Sequence, residues 1–392
     1  MASNHFMGRI AGRLRAGLFL VAFAGLPAAA LAQLTPLEDS NLSEITGQAL
    51  LVSDKIPAAS ISNSPAIDSN LTFYRMGLDA TVAFNANIDR LRLGCGGIND
   101  FLDTGCDIDM SYVRFMGNNG SGGAGAAVTS DFTLTRPYIQ LAIANDGSAN
   151  REVVGFALGS QSANGFVGIG RTYAQNAVNQ ESGATCSGTS GNGALACHSG
   201  LNQVSGFLNT EMSGTIPVSI TLLGSQTACF GNTNLPAAAG QCTTPFYTQI
   251  KGTRINTITV PGIPLTLSAG FLSAIGISQA YATIVESLTF IHGFSLDNTN
   301  NFFLSFQRQQ VAWPNYNYTT NDAYTGNGAA VTANTGWWMN VPKLAVTNIQ
   351  GATVSLGFFQ ALGALASPGP TVTNSELNQS PPTNCYGNAK FC

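Results

Sequence analysis

Charged side chains are scarce in this chain: they make up 9% of its 392 residues, and the formal net charge is −4. Proteins that bind nucleic acids need clustered lysine and arginine, so this composition excludes that class. Hydrophobic residues reach 44%, which excludes an intrinsically disordered chain, because such chains have too few apolar residues to build a core. The polarity comes instead from Asn, Ser, Thr, Gln and Gly, as in many secreted β-proteins.

Groups that could carry catalysis are equally scarce. The sequence contains no Gly-x-Ser-x-Gly elbow, and the single Asp103-Thr104-Gly105 lacks the second carboxylate that an aspartic protease needs. Of the three histidines, His198 lies in a Gly/Ser-rich loop and is expected to face solvent. His292 lies in a strand-like segment and is expected to be a hydrogen-bonded strand residue. We therefore predict a protein that is not an enzyme and that needs no cofactor, with calcium as the one open alternative.

The first 32 residues have the pattern of a signal peptide. Arg9, Arg13 and Arg15 precede a short apolar run at residues 16–26, and Ala30-Leu31-Ala32 offers a small-residue cleavage site. The apolar run is too short to span a bilayer. The sequence therefore predicts export from the cytoplasm, through a periplasm to the cell surface or the medium, with a mature start at Gln33.

The cysteines agree with export, because all eight follow the cleavage site. Disulfides persist in oxidising compartments, and proximity along the chain favours four local pairings over the many other connectivities. Metal binding is the rival interpretation, but no Cys-x-x-Cys is present. The four predicted disulfides are Cys95–Cys106, Cys186–Cys197, Cys229–Cys242 and Cys385–Cys392.

Most of the chain after residue 50 alternates between apolar and polar residues with a period of two, and Gly and Asn separate these runs. The predicted strands include 79–93, 111–116, 131–144, 153–159, 165–170, 205–211, 216–223, 254–260, 287–296, 301–311, 343–347 and 352–359. This pattern predicts a mostly β fold of antiparallel strands in a sandwich or an elongated sheet, with a short N-terminal helix and local disulfides. The predicted organisation is a signal peptide at 1–32, a recognition or docking segment at 33–50, a β-rich body at 51–366 with a possible subdomain boundary near 245, and a Pro-rich tail with a terminal disulfide at 367–392.

Two loops suggest binding sites. Asp100, Asp103, Asp107 and Asp109 cluster near the first cysteine pair, and such hard oxygen ligands suit Ca²⁺, although Asp is also an ordinary turn residue. Three tryptophans and nearby tyrosines could stack on sugars, although aromatic residues of β-proteins more often lie in the core. These residues are Trp313, Tyr316, Tyr318, Tyr324, Trp337 and Trp338.

The segment after the signal peptide carries the motif L-x-D-S-x-L-S-x-x-T-G-Q. Its residues are Leu37, Asp39, Ser40, Leu42, Ser43, Ile45, Thr46, Gly47 and Gln48. This segment resembles the mature start of a family of exported bacterial proteins that includes proteins described as pilus-system components of Acinetobacter-like bacteria. Looser similarities follow at Arg151–Gly159, Gly165, Gly168–Gly170 and Val204–Asn209. The resemblance covers about the first half of the chain and implies a surface or fimbrial role; it does not imply an enzyme.

The same segment also looks like a double-glycine leader, in which an amphipathic helix precedes a cleavage site. A processing peptidase would then recognise Leu37, Leu42 and Ile45 and cut after Gly47, although Gly47-Gln48 departs from the usual Gly-Gly or Gly-Ala. The alternative is a short helix that docks on the β-rich body, with Asn41 as its cap, Glu44 completing a capping box and Gly47 ending it.

The sequence as a whole predicts a structural or adhesive component of a bacterial pilus, fimbrium or other surface appendage, whose partners are the export machinery and other assembly proteins. Strand edges would carry its contacts. The alternative is a periplasmic or outer-membrane β-protein that binds a ligand or a carbohydrate.

Overall fold

The computed structural model describes residues 51–61, 70–100, 105–118, 130–188, 195–220, 224–230, 246–267, 279–315, 332–350, 353–356, 363, 369, 371–373, 381–382 and 384. The predicted signal peptide, the recognition segment at 33–50 and residues 231–245, which end at the predicted boundary, lie outside these residues. The same holds for most of the tail.

Strands dominate the described residues, which confirms the predicted fold class. The first nine are β1 (Leu51–Pro57), β2 (Leu71–Leu78), β3 (Thr81–Phe84), β4 (Ala86–Leu93), β5 (Ile108–Met116), β6 (Phe132–Ala144), β7 (Glu152–Gly168), β8 (Arg171–Thr172) and β9 (His198–Ser199). The others are β10 (Leu201–Ile220), β11 (Gly224–Phe230), β12 (Phe246–Ile255), β13 (Thr257–Leu267), β14 (Gln279–Ser287), β15 (Gly293–Gln307), β16 (Gly336–Gln350), β17 (Val354–Leu356) and β18 (Thr371–Thr373). Two single 3₁₀ turns cover Ala58–Ser60 and Leu288–Phe290.

Sixteen of these strands form one large sheet in the described part of the chain. Its main path runs β1-β2-β6-β7-β15-β16-β10-β11-β13-β14-β18, with the other strands attached at its sides, while β8 and β9 pair separately. Most pairs are antiparallel, but β10 runs parallel to β16 and β17, and β14 runs parallel to β18. Strands from both sides of residue 245 therefore belong to the same sheet, and the tail contributes β18.

Several predicted short strands are parts of longer ones. The segments 153–159 and 165–170 were expected as two strands, yet β7 runs unbroken from Glu152 to Gly168. In the same way, β10 joins the two strands expected at 205–211 and 216–223. Glycine was taken as a turn signal in these segments, but here glycines inside strands allow close approach between chains. A Cβ at Gly206, for example, would lie 2.4 Å from the Met339 carbonyl oxygen.

Two hydrophobic clusters hold the sheet together. The larger one lies among β5, β10 and β13–β16 and includes Ile108, Leu208 and Phe290. The smaller one surrounds Trp313 and Trp338, against which Phe73 packs. These clusters bury large side chains completely, which is where most of the folding free energy of a β-protein arises.

Two of the four predicted disulfides fall within the described residues, and both are present. Cys95 is bonded to Cys106 and Cys186 to Cys197. The pairs Cys229–Cys242 and Cys385–Cys392 involve residues outside the described set, so they stay predictions. Disulfides are consistent with an exported protein rather than a cytoplasmic one. None of the helical turns in the described residues has the length and apolar character that crossing a membrane requires.

Candidate functional site

One side of the sheet carries a row of apolar side chains that the described residues leave largely bare. Met76 of β2 pairs with Ile139 of β6, which pairs with Leu158 of β7, so the three side chains lie next to one another on one surface. Their exposed fractions are 57%, 48% and 45%, respectively. Contiguous apolar exposure of this kind is unusual for a soluble protein and marks an interaction surface.

The neighbouring row on the same side extends this surface toward β15 and β16. Leu141 pairs with Phe156, which pairs with Phe306, and Phe306 pairs with Trp337. The three aromatic rings form a cluster with centroid separations of 5.6–6.0 Å. We call the two rows together the apolar face; its residues are Met76, Ile139, Leu141, Phe156, Leu158, Leu304, Phe306 and Trp337.

A pocket of about 550 Å³ opens where the apolar face meets β3 and β5. The rings of Phe84, Phe115 and Phe132 lie at 5.3–5.7 Å from one another in its wall. The remaining lining is almost entirely aliphatic or aromatic and includes Leu51, the first described residue, which is 56% exposed. This volume is in the range of small-molecule sites, but such sites also carry a few placed polar groups, which this lining lacks.

The opposite side of the same strands is covered. Arg75, Gln140, Ser305 and Trp338 lie there in consecutive cross-strand pairs with Ala157 between them, and all are buried beneath the chain around Trp313. We call this side the covered face. The Arg75 guanidinium donates to Gln140 Oε1 and to the Pro314 carbonyl oxygen. Gln140 Nε2, Ser305 Oγ and Trp338 Nε1 have no hydrogen-bond partner among the described residues.

A polar group lies at one end of the apolar face. Lys55 Nζ is 2.8 Å from Asp146 Oδ2, and the Tyr74 hydroxyl donates to the same carboxylate at 2.8 Å. The hydrogen bond to Asp146 and the contact with Tyr74 hold the pKa of Lys55 above its ordinary value. An apolar centre with a polar rim is the usual anatomy of a protein–protein contact surface.

The tryptophans considered as sugar-stacking residues do not form one site. Trp313 and Trp338 are fully buried in the smaller cluster, and the Trp313 indole donates to Gln307 Oε1. Trp337 belongs to the apolar face, whereas Tyr316, Tyr318 and Tyr324 lie outside the described residues. Two of the three rings are therefore core residues, as aromatic residues of β-proteins usually are.

The two described histidines form a buried pair, so the expectation that His198 faces solvent is wrong. His198 Nδ1 lies 2.8 Å from His292 Nε2, and His292 Nδ1 is 3.1 Å from the Ile169 carbonyl oxygen. The adjacent Cys186–Cys197 disulfide and the bond from Asn179 to the His198 carbonyl draw this loop inward. Burial lowers the pKa of both rings, to about 3 for His292, which also faces His198. Sequence spacing gave no sign that these rings meet.

The acidic residues proposed as calcium ligands contact arginines instead of one another. Asp107 is 1% exposed and accepts from Arg254 Nε at 3.0 Å, Asn99 Nδ2 at 2.9 Å and the Trp337 amide at 2.9 Å. Arg254 also reaches Asp100. This network ties the first disulfide loop to β12 and β16 through charge-assisted hydrogen bonds.

Asp109 lies apart from that network, where Arg90 and Arg92 of β4 neutralise it. Asp103 lies outside the described residues. Within the described residues no group of three or more His, Cys, Asp or Glu side chains has the arrangement of a metal site. The calcium site stays a prediction, but the contacts of Asp100, Asp107 and Asp109 give each of them a structural role.

The apolar face itself was not predicted, because β2 was missing from the expected strands. Alternation in β6 gave a partial signal, since Ile139 and Leu141 are separated by Gln140. The usual rule would bury the two apolar residues and expose the glutamine, but the structure does the reverse. The residues of the motif at 37–48 lie outside the described set, directly before Leu51.

Comparisons with known proteins provide no relative. A scan against protein-family models, a search of curated proteins and a search of solved structures found no match to this chain.

Proposed function

We propose that this protein is an exported, non-enzymatic component of a bacterial surface appendage, with a structural or adhesive role that depends on protein–protein contact. The single observation that carries the proposal is the apolar face, where Met76, Ile139 and Leu158 are about half exposed on adjacent strands. Leaving such a surface in water is unfavourable, at roughly 25 cal/mol per Å², so a partner that covers it gains that free energy.

Two further features support a role outside the cytoplasm. Disulfides close the loops at Cys95–Cys106 and Cys186–Cys197, which suits an oxidising compartment. The sheet also ends in an edge strand, β1, which has a partner on one side only along the main path and lies next to the apolar face. Edge strands and apolar sheet faces are the surfaces through which β-subunits join one another.

The experiment is immunogold labelling of intact cells that produce the protein with or without Ile139→Asp. We expect gold on extracellular appendages for the unchanged protein and a strong loss of that label for the variant, because a charge in the contact surface opposes packing. Val178→Asp is the matched control, since Val178 is 54% exposed but lies outside the named strands, in an isolated bridge with Thr185. Label confined to the periplasm would refute the appendage role.

A ligand-binding protein is the second candidate, favoured by the pocket. Its lining suits an apolar molecule such as an acyl chain rather than a carbohydrate, because polar groups are almost absent and Trp313 and Trp338 are buried elsewhere. Mass spectrometry of organic extracts from the purified protein tests this. A stoichiometric lipid that is lost on Phe84→Asp would favour ligand binding over assembly.

A further inference from the structure

Exposed apolar side chains gather on one side of the sheet near its β1 edge. Among the described residues, six of the ten large apolar side chains that are exposed lie there, on β1, β2, β6 and β7. Leu51 is on this side because its partner Leu78 lies two residues beyond Met76 on β2. Val153 is on it because its partner Ile143 lies on the same side of β6 as the apolar face. The six residues are Leu51, Met76, Ile139, Leu141, Val153 and Leu158.

This surface has the size of a protein–protein contact. The exposed fractions of the six side chains are 36–57%, so together they leave roughly 500 Å² of apolar surface in water. A specific interface buries about 800 Å² on each partner. The six side chains therefore supply more than half of such an interface, and the partly buried rings of Phe156 and Phe306 beside them add to it. A second copy of this chain offers a surface of the same area and the same apolar character.

The pocket lies at one end of this surface, and exposed aliphatic side chains lie at the other. On β6, Pro137 lines the pocket, Ile139 lies at its edge, and Leu141 lies two residues farther along, outside the lining. A rotation of 180° about an axis that lies between two copies, across the strands at the level of Ile139, sets Leu141 of each copy over Pro137 of the other. The aliphatic end of each copy then covers the pocket end of the other, which is the self-match that an isologous contact requires.

The charges that the described residues place beside this surface are balanced. The Lys55 ammonium and the Asp146 carboxylate lie 2.8 Å apart at the end away from the pocket, so they neutralise each other. The cross-strand row of Met76, Ile139 and Leu158, where two identical copies meet along the axis, is apolar. Like charges on facing surfaces oppose association, so the neutral pair and the apolar row favour contact between identical surfaces.

We propose that two copies of this chain pack face to face through these apolar surfaces, as a dimer whose two-fold axis runs along the row of Met76, Ile139 and Leu158. The strands of the two sheets then run in opposite directions across a gap of about 10 Å, the usual distance between packed sheets. The inference rests on the proposed function, because it names the partner of the same contact surface. Dimers rather than single molecules are then the units that join the appendage.

Two charge variants at one position test the two-fold axis. In the dimer of the purified exported protein, Ile139→Asp makes two carboxylates face each other, and Ile139→Lys makes two ammonium groups do so. We expect the unchanged protein to dimerise at micromolar concentrations in sedimentation velocity, and each variant to dimerise about tenfold more weakly. An equimolar mixture of the two variants should recover most of that loss, because opposite charges then meet on the axis.

Two outcomes of this experiment would overturn the proposal. One is an unchanged protein that stays monomeric over the whole concentration series, and the other is a mixture that associates no more tightly than the separate variants. If a variant at position 139 loses its near-ultraviolet circular dichroism and is therefore not folded, Met76→Glu and Met76→Lys replace the pair, because Met76 is more than half exposed and also lies on the axis.

Val178→Asp is the control for the added charge, because Val178 is exposed but lies outside the named strands. This variant should dimerise as the unchanged protein does. Weakening equal to that of Ile139→Asp would show that the added charge, and not its place on the surface, reduces association, which would contradict the proposed interface.

Photo-cross-linking tests the orientation of the two copies. A benzoylphenylalanine residue replaces Leu141, and equal amounts of ¹⁵N-labelled and unlabelled protein are mixed and irradiated. We expect cross-links to the peptides that contain Leu78 or Pro137, about half of them joining one labelled and one unlabelled peptide, because identical copies pair at random. Cross-links that join peptides of one isotope only would place the contact within a single chain and refute the dimer.

These measurements use purified protein, so they are independent of where the protein lies in the cell. A monomer whose immunogold label stays on appendages would overturn the dimer and leave the proposed function standing. A dimer in a protein whose label is confined to the periplasm would overturn the appendage role and leave the dimer standing.

Discussion

The two faces of the β2–β6–β7–β15 sheet invert the usual relation between polarity and burial. The covered face contains Arg75 and Gln140 and is buried, whereas the apolar face contains Met76, Ile139 and Leu158 and is about half exposed. The difference arises from what packs on each face. The chain around Trp313 covers one side, whereas the other is covered only toward β16, where Leu304 and Trp337 pack against the larger cluster. Hydrophobic alternation therefore tells which residues share a face but not which face is covered.

Apolar side chains have different roles on the two faces: folding on the covered face and association on the apolar face. On the covered face, Trp338 and Phe73 stabilise the fold. On the apolar face, Met76, Ile139 and Leu158 are about half exposed, so they bury less apolar surface on folding and leave the rest of it to a partner. Variants on the two faces should consequently differ in what they change: folding free energy on one and association on the other.

The largest effect is expected from Trp338→Ala on the covered face. Trp338 is fully buried, and removing a buried Trp side chain costs about 3–5 kcal/mol of unfolding free energy because a cavity remains. Urea-induced unfolding measures the change. Trp338→Phe should cost less, since the ring remains and the indole Nε1 has no hydrogen-bond partner among the described residues. Equal costs for the two variants would show that cavity formation is not the cause.

Lowering the pH should reduce the stability of the fold through the buried pair of His198 and His292, which belongs to neither face. Burial depresses the pKa of His198 and lowers that of His292 to about 3, so the folded state binds fewer protons than the unfolded state below pH 6.5. Stability from this pair is therefore complete above about pH 6.5 and decreases as the pH falls, and for His292 the loss continues to about pH 3 at up to roughly 1.4 kcal/mol per pH unit.

The measurement for the histidine pair is unfolding free energy at pH 7, 6, 5 and 4. His292→Gln should flatten this profile, because the glutamine amide does not titrate. A profile that keeps its slope in the variant would assign the acid sensitivity to other groups.

A smaller loss is expected from Arg75→Met, which would sharpen the contrast between polar and apolar residues on the covered face. The substitution keeps most of the side-chain volume but leaves Gln140 Oε1 and the Pro314 carbonyl oxygen without the guanidinium. An unsatisfied buried acceptor costs about 1–3 kcal/mol. Thermal unfolding of this variant beside Lys343→Met, at a residue whose side chain is about half exposed, shows the difference. No loss for Arg75→Met would indicate that water replaces the guanidinium.

The smallest effect on stability should come from Met76→Ser on the apolar face. This side chain is more than half exposed, so we expect a change of about 0.5 kcal/mol or less in unfolding free energy. Association should change instead, seen as a lower apparent mass by light scattering at high protein concentration. A large loss of stability would mean that the face belongs to the folded core and would end the distinction between the two faces.

Part of this structure was predictable from local patterns. Alternation located β6 almost to the residue, and proximity of cysteines identified the bonds Cys95–Cys106 and Cys186–Cys197. The meeting of His198 with His292 and of Asp107 with Arg254 was not predictable, because these partners are 94 and 147 residues apart. The glycines within β7 and β10 also led to wrong predicted strand ends. Close packing between strands and tight turns both favour glycine, so the residue type alone does not distinguish the two.

The sequence by itself determined the β class and the two described disulfides, because each depends on residue types or on neighbours along the chain. The tertiary structure alone decided that Ile139 is exposed while Gln140 is buried, that both described histidines lie inside, and that Leu51 opens onto an apolar pocket. These outcomes depend on which distant strands and segments pack together, and a period-two pattern has the same form whichever side is covered.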